Sequence, residues 1–162
     1  MIKLKDAMAA TAVSVFAVVS FTGQAQAQLA DKKVLTLEAT KTMVAAAEAE
    51  AIRNNWNVVI AVVDDGGHLI HLQRMDGTQH GSIGVAIGKA KTSIAFKRPT
   101  KLYDDFAKTR PSLLSLSDFT LIEGGVPVKA GDQVIGAIGV SGVTSQQDTQ
   151  IAEAGLAVLE IE

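Results

Sequence analysis

From residue 36 onward the apolar positions change period cleanly along the chain. Thr36 precedes a stretch with Leu37, Met43 and Val44 on one side and many alanines, which predicts a capped helix from about Leu37 to Asn55. Val58-Val59-Ile60-Ala61-Val62-Val63 follows as a continuous β-branched run, the pattern of a strand covered on both faces. Asp64-Asp65-Gly66-Gly67 reads as a turn into a second strand, His68 to Met75. This antiparallel hairpin is expected at the centre of a sheet.

A second helix is predicted from about Ser82 to Phe96, with Ile83, Ile87, Ala90 and Ile94 forming one buried stripe. Pro99 stops it, and Lys101 to Thr109 gives a short helix before Pro111. Two strands, about Val126–Lys129 and Gln133–Val140, lie among glycines. Ser145-x-x-Asp148 resembles a capping box and opens a last helix to about Leu159. The order α-β-β-α-(α)-β-β-α predicts an α/β sandwich, a mostly antiparallel sheet with helices on both faces.

The first residues follow a different logic. Lys3 and Lys5 precede an apolar stretch from Ala7 to Phe21, and Ala25-Gln26-Ala27 supplies the small residues that a signal peptidase reads. The stretch is shorter than the roughly 20 residues needed to span a bilayer. Residues 1–27 are therefore expected to be a cleaved secretory signal, leaving a single domain at 28–162 and a periplasmic or secreted protein. The chain of 162 residues has no cysteine, which excludes disulfide frameworks, zinc–thiolate sites and thiol nucleophiles. With 15 basic against 17 acidic residues it lacks the basic excess of a nucleic-acid binder.

Candidate chemistry starts from what is missing. Gly136-x-x-Gly139-x-x-Gly142 lacks the spacing of a dinucleotide fingerprint and reads as close backbone packing. Ser141 does not sit in a nucleophile elbow, and Glu48 and Glu50 face different directions on their helix. Glu123, beside Gly124-Gly125, is the one carboxylate in a setting that suits a pocket.

Several short motifs occur in a characteristic order: Val63-Asp64-Asp65-Gly66-Gly67-His68-Leu69, Arg74-Met75-Asp76-Gly77, Gly88-Lys89-Ala90-Lys91-Thr92, Gly124-Gly125-Val126-Pro127, and Gly136 to Gly142 followed by Gln147-Asp148 and Ile151-Ala152. Over about Leu35 to Leu159 the chain resembles the GlcG/HbpS family of haem-binding proteins, relatives of the C-terminal domain of PduO-type proteins. The resemblance implies a profilin-like sheet, homo-oligomers and, in several members, binding of haem or a related tetrapyrrole.

A haem site needs an apolar slot, an iron ligand and cations for two propionates. His68, His71, His80, Met43, Met75 and Tyr103 are the available ligands. His68 and His71 are expected on opposite faces of their strand unless a bulge intervenes. His80, at a loop-to-helix junction, ranks first as the metal ligand and His71 second. Lys89, Lys91, Lys97, Arg98 and Lys101 gather along the second helix and past its end, where they can serve propionates or simply complement the helix C-terminus. Arg74 is a carboxylate anchor or a partner of Asp64 or Asp76. The cofactor-binding set is thus His80, His71, Arg74, Lys89 and Arg98. Three functions fit: an exported protein that sequesters or carries haem, linked to oxidative-stress protection; an enzyme acting on a small organic acid; or an extracytoplasmic interaction module.

Overall fold

The computed structural model describes residues 29–159; the proposed leader lies outside the described residues. The elements run α1 (Leu37–Arg53), β1 (Val59–Asp64), β2 (Leu69–Arg74), α2 (Gly81–Phe96), α3 (Lys101–Thr109), a 3-10 turn at Pro111–Ser115, β3 (Gly125–Ala130), β4 (Gln133–Ser141) and α4 (Ser145–Leu156). The four strands form one antiparallel sheet in the order β2-β1-β4-β3.

The hairpin is therefore not the centre of the sheet. β1 and β4 are central, while β2 forms an edge. The physical reason lies in the side chains. β1 is buried from Val59 to Val63 and β4 from Ile135 to Ser141, each apolar or small at both parities. β2 carries His71, Gln73 and Arg74 and is half-buried or exposed along its length, which suits a strand with one free side.

Alternating residues of β1 feed two layers. Ile60 and Val62 join Met43, Val44 and Ala47 of α1 and Ile151 and Ala152 of α4 in the larger core. Val59, Ala61 and Val63 face Ala86, Ala90 and Ile94 of α2 on the other side. Of the stripe expected on α2, Ala90 and Ile94 are buried, whereas Ile83 and Ile87 are half-buried. The helix also buries Ser82, Thr92, Ser93 and Lys89. Its backbone rides directly on β4: a Cβ at Gly139 would meet the Ala86 carbonyl oxygen at 2.2 Å and the Ala90 nitrogen at 2.6 Å.

Helix ends follow local hydrogen bonding. Thr36 caps α1 as expected, its Oγ1 accepting from the Ala39 N–H at 3.1 Å. At α4 the cap falls one residue earlier than Ser145. Thr144 is the N-cap, its hydroxyl accepting from the Gln147 N–H while the Gln147 side chain accepts from the Thr144 N–H. α4 ends at Leu156, short of Leu159.

Asp148 is thereby freed from the capping box for another partner. Lys89 of α2 reaches it at 2.7 Å and also donates to the Val140 carbonyl at 2.9 Å. The two side chains are 2% and 3% exposed. Burial pushes the Asp148 carboxyl above the usual carboxylate range, and the Lys89 ammonium with the Val143 and Gly142 N–H groups offsets part of that rise. The ammonium passes beside Gly124, where a Cβ would stand 2.7 Å from Lys89 Nζ and 2.9 Å from Asp148 Cβ. Gly124 itself has φ of 124°, a conformation suited to glycine.

Two variants test this arrangement. Lys89→Met leaves a buried carboxylate without its cation and is expected to cost about 3–5 kcal/mol in urea unfolding, with the double change Lys89→Met/Asp148→Leu recovering more than half. Gly139→Ala drives a methyl into the α2 backbone and is expected to cost at least about 2 kcal/mol in the same assay.

Candidate ligand-binding site

The turn between β1 and β2 is organised by one carboxylate. Asp64 Oδ1 accepts from the Gly66 N–H at 2.9 Å and from the His68 N–H at 2.8 Å. Backbone bonds from Asp64 N–H to the His68 carbonyl (2.9 Å) and from Gly67 N–H to the Asp64 carbonyl (3.1 Å) close the turn. Gly67 takes φ of 79°, which makes a glycine the natural occupant. Burial alone would raise the Asp64 carboxyl, but the His68 and Gly66 N–H donors and the His68 ring outweigh it and hold it below the usual range.

The same Oδ1 lies 3.3 Å from Nδ1 of His68, whose side chain is 83% exposed. The ring lies over Gly66: a Cβ there would stand 2.8 Å from Nδ1 and 2.9 Å from Cε1. With Nδ1 turned to the carboxylate, Nε2 is the nitrogen left for a ligand.

Beside this turn opens a cleft of about 350 Å³, walled by Lys91, Ile94 and Ala95 of α2 and by Asp118 and Phe119 ahead of β3. An adjoining recess of about 270 Å³ shares Asp65 with it and is lined by Lys32, Lys33 and Lys97. Asp65 pairs with Lys32 at 2.6 Å. On the other side Phe119 also borders an apolar recess of about 450 Å³ formed by Val85, Leu114, Leu116 and Ile122. Phe96 packs on Phe119, with ring centroids 4.8 Å apart, and on Tyr103 at 4.7 Å.

The five residues of the expected cofactor set are not brought together. His80 occupies the position before α2, exposed, with helical backbone angles and no side-chain capping bond. Arg98 lies past the far end of the same helix, a rise of about 24 Å away for sixteen residues. Arg74 is exposed at the end of β2 and pairs with neither Asp64 nor Asp76 among the described residues. Lys89 is not a free surface cation, because it is buried against Asp148.

His71 is half-buried opposite Val62, on the α1 side of the sheet. A bulge at Ile70 does interrupt the strand: Val63 pairs with Leu69 and Val62 with His71. His68 nevertheless stays on the opposite side from His71, because it precedes the strand and lines the cleft with α2. The bulge also places Leu69 on the face shared by Leu72 and Arg74.

Of the other candidates, Met43 is wholly buried in the core. Glu123 is 5% exposed, lies outside the three recesses just described, and meets the Thr149 hydroxyl at 3.4 Å and Lys101 Nζ at 3.7 Å. Among the described residues no three carboxylate or histidine groups converge to hold a metal ion.

Sequence comparison and structural comparison converge on one group of proteins. A family model described as "Haem degrading protein HbpS-like" matches residues 35–157. The protein GlcG of Escherichia coli K12 is 43% identical over 111 residues, covering 68% of this chain and 83% of GlcG. The crystal structure of HbpS superposes with a TM-score of 0.76 at 33% identity, over 82% of this chain and 94% of that one. The crystal structure of the PduOC:heme complex gives a TM-score of 0.75 at 26% identity, over 80% of this chain and 98% of that one. A match that runs from the start of the core at Leu35 to the end of α4 takes in every element of the sandwich, and on that ground the chain belongs to the HbpS-like family.

Proposed function

We propose that this protein binds haem or a closely related tetrapyrrole and sequesters or carries it outside the cytoplasm, as part of protection against oxidative stress. One observation carries the reading: the whole sandwich superposes on a relative whose structure is that of a heme complex, with 98% of that chain covered. The residues present suit the group. A ferric porphyrin needs a nitrogen donor with an accessible lone pair, an apolar wall for the macrocycle and cations for two propionates. The surface offers exposed imidazoles, the Phe119 and Ile94 wall, and lysines on α2 and before α1. When bound, the porphyrin iron would supply redox and ligand-binding chemistry that the side chains of a cysteine-free chain do not.

Export rests on the layout of residues 1–27, and the absence of cysteine agrees with an oxidising compartment, where a free thiol is a liability. Assembly into a homo-oligomer belongs to the same reading. Leu69 and Leu72 are exposed on the edge strand, and Leu114 is 70% exposed beside the apolar recess, surface that a second copy would remove from water.

Titration of the purified protein with haemin is expected to give a saturable Soret band with a fixed stoichiometry; broad absorbance that never saturates would remove the haem reading. For the location, mass spectrometry of the protein recovered from the cell envelope or medium is expected to find a chain beginning at Gln28. Recovery of the intact leader in the cytoplasmic fraction alone would remove the export reading.

A further inference from the structure

We infer that His68, backed by Asp64, is the ligand of the tetrapyrrole iron, and that the macrocycle lies over the mouth of the cleft that opens beside the β1–β2 turn. This deepens the haem-binding reading and rests on it.

Three histidines compete for the role, and their surroundings separate them. An imidazole that binds iron through one nitrogen is strengthened when the other donates to a carboxylate, which fixes the tautomer and the ring plane and raises the basicity of the ligating nitrogen. His68 alone stands in the ion-pair geometry this requires, with Nδ1 3.3 Å from Asp64 Oδ1. The carboxylate is itself held by two backbone donors, so the support is rigid. His80 sits on a helix end with no such bond, and His71 is half-buried on the sheet's other side.

The glycines of the turn bring the imidazole and α2 close to the backbone. The His68 ring lies directly over Gly66, where any Cβ would stand 2.8 Å from its Nδ1, and Gly67 approaches Ile94, a Cβ there lying 3.8 Å from Cγ2. The ring therefore borders the mouth of the cleft, whose apolar lining is Ile94, Ala95 and Phe119.

The neighbouring recesses grade from apolar to cationic in the sense that a haem demands. The recess beyond Phe119 is lined by leucines and Ile122, which suits the vinyl and methyl edge. The recess beyond Asp65 is lined by Lys97 along with Lys32, Lys33 and Asp132, and Lys91 lines the cleft itself, so Lys97 and Lys91 are the cations offered to the propionate edge. Asp65 stands at the boundary between cleft and lysine recess with its charge met by Lys32, so it does not oppose a propionate unscreened. Asp118 is exposed and leaves its charge in water.

The test uses the haemin-loaded protein beginning at Gln28 and reads the iron, not turnover. In the ferrous form, resonance Raman of the wild type is expected to show an iron–histidine stretch. His68→Ala is expected to lose it, to move the Soret maximum, and to weaken haemin binding at least tenfold, with free imidazole restoring the wild-type spectrum. His71→Ala and His80→Ala keep both signals. Lys91→Glu combined with Lys97→Glu is expected to weaken binding several-fold while leaving the iron–histidine stretch in place. A wild type that takes up no haemin saturably sinks the haem reading as a whole. A wild type that binds while His68→Ala retains its stretch, or one whose stretch disappears in His71→Ala or His80→Ala instead, overturns this assignment and leaves haem binding standing.

Discussion

A buried ion pair between the two helical layers sets the terms for the rest of the molecule. Lys89 belongs to α2 on one face of the sheet and Asp148 to α4 on the other, yet their charged atoms are 2.7 Å apart. Removing two charges from water costs several kcal/mol per ion, so the pair is tolerable only when each remaining lone pair and proton has a partner. The Val140 carbonyl and the Val143 N–H supply those partners, one at the end of β4 and the other just before α4. The contact therefore fixes where α2, β4 and α4 stand relative to one another. It also fixes a sequence requirement, since only a residue without a side chain can stand at Gly124 beside the ammonium. Gly125 next to it obeys a related constraint, as a Cβ there would lie 2.4 Å from the Lys89 carbonyl oxygen.

This lock and the cleft occupy different ends of the sheet. β1 and β4 are antiparallel, so Val59 faces Ser141 near the lock while Asp64 faces Gly136 near the turn. α2 connects the two regions. Ala86 packs on Val59 and Ala61, Ala90 and Ile94 pack on Val63, and Lys91 then emerges at the cleft. Because Gly139 lets the helix sit against β4 backbone to backbone, the helix cannot slide without breaking that fit. The cleft wall inherits its rigidity from packing several residues away, which is what a binding surface built partly from a turn needs.

Most of the fold was legible from period alone. The short helix Lys101–Thr109 and the cap at Thr36 stand where the pattern placed them, and the sandwich of helices on both faces follows from strands apolar at both parities. What failed was anything decided between elements. The hairpin read as central because β1 is buried on both faces, but β2 shares only its pairing, not its burial, and its polar residues mark an edge. Asp148 looked like a capping residue because local spacing cannot reveal a lysine 59 positions away. Lys89 looked like a surface cation for the same reason: a lysine in a helix signals solvent until a buried carboxylate claims it. His68 was visible as a histidine but not as a supported one, although Asp64 four residues earlier in a Gly-Gly turn was the available signal.

That turn also explains why a ligand-bearing residue can stand on so small a piece of structure. Two adjacent glycines leave the unfolded chain more freedom to lose on folding. A single half-buried carboxylate offsets that loss by accepting two backbone N–H bonds, and charge-assisted bonds of this kind are the stronger sort. The carboxylate thus has two duties that reinforce each other. It holds a turn in which Gly67 takes a positive φ, and that turn sets the His68 ring over Gly66 with Nδ1 facing the same oxygen. Loss of the Asp64 charge would loosen the turn and the ring together, so the geometry of the imidazole is coupled to the geometry of the strand pair that ends there.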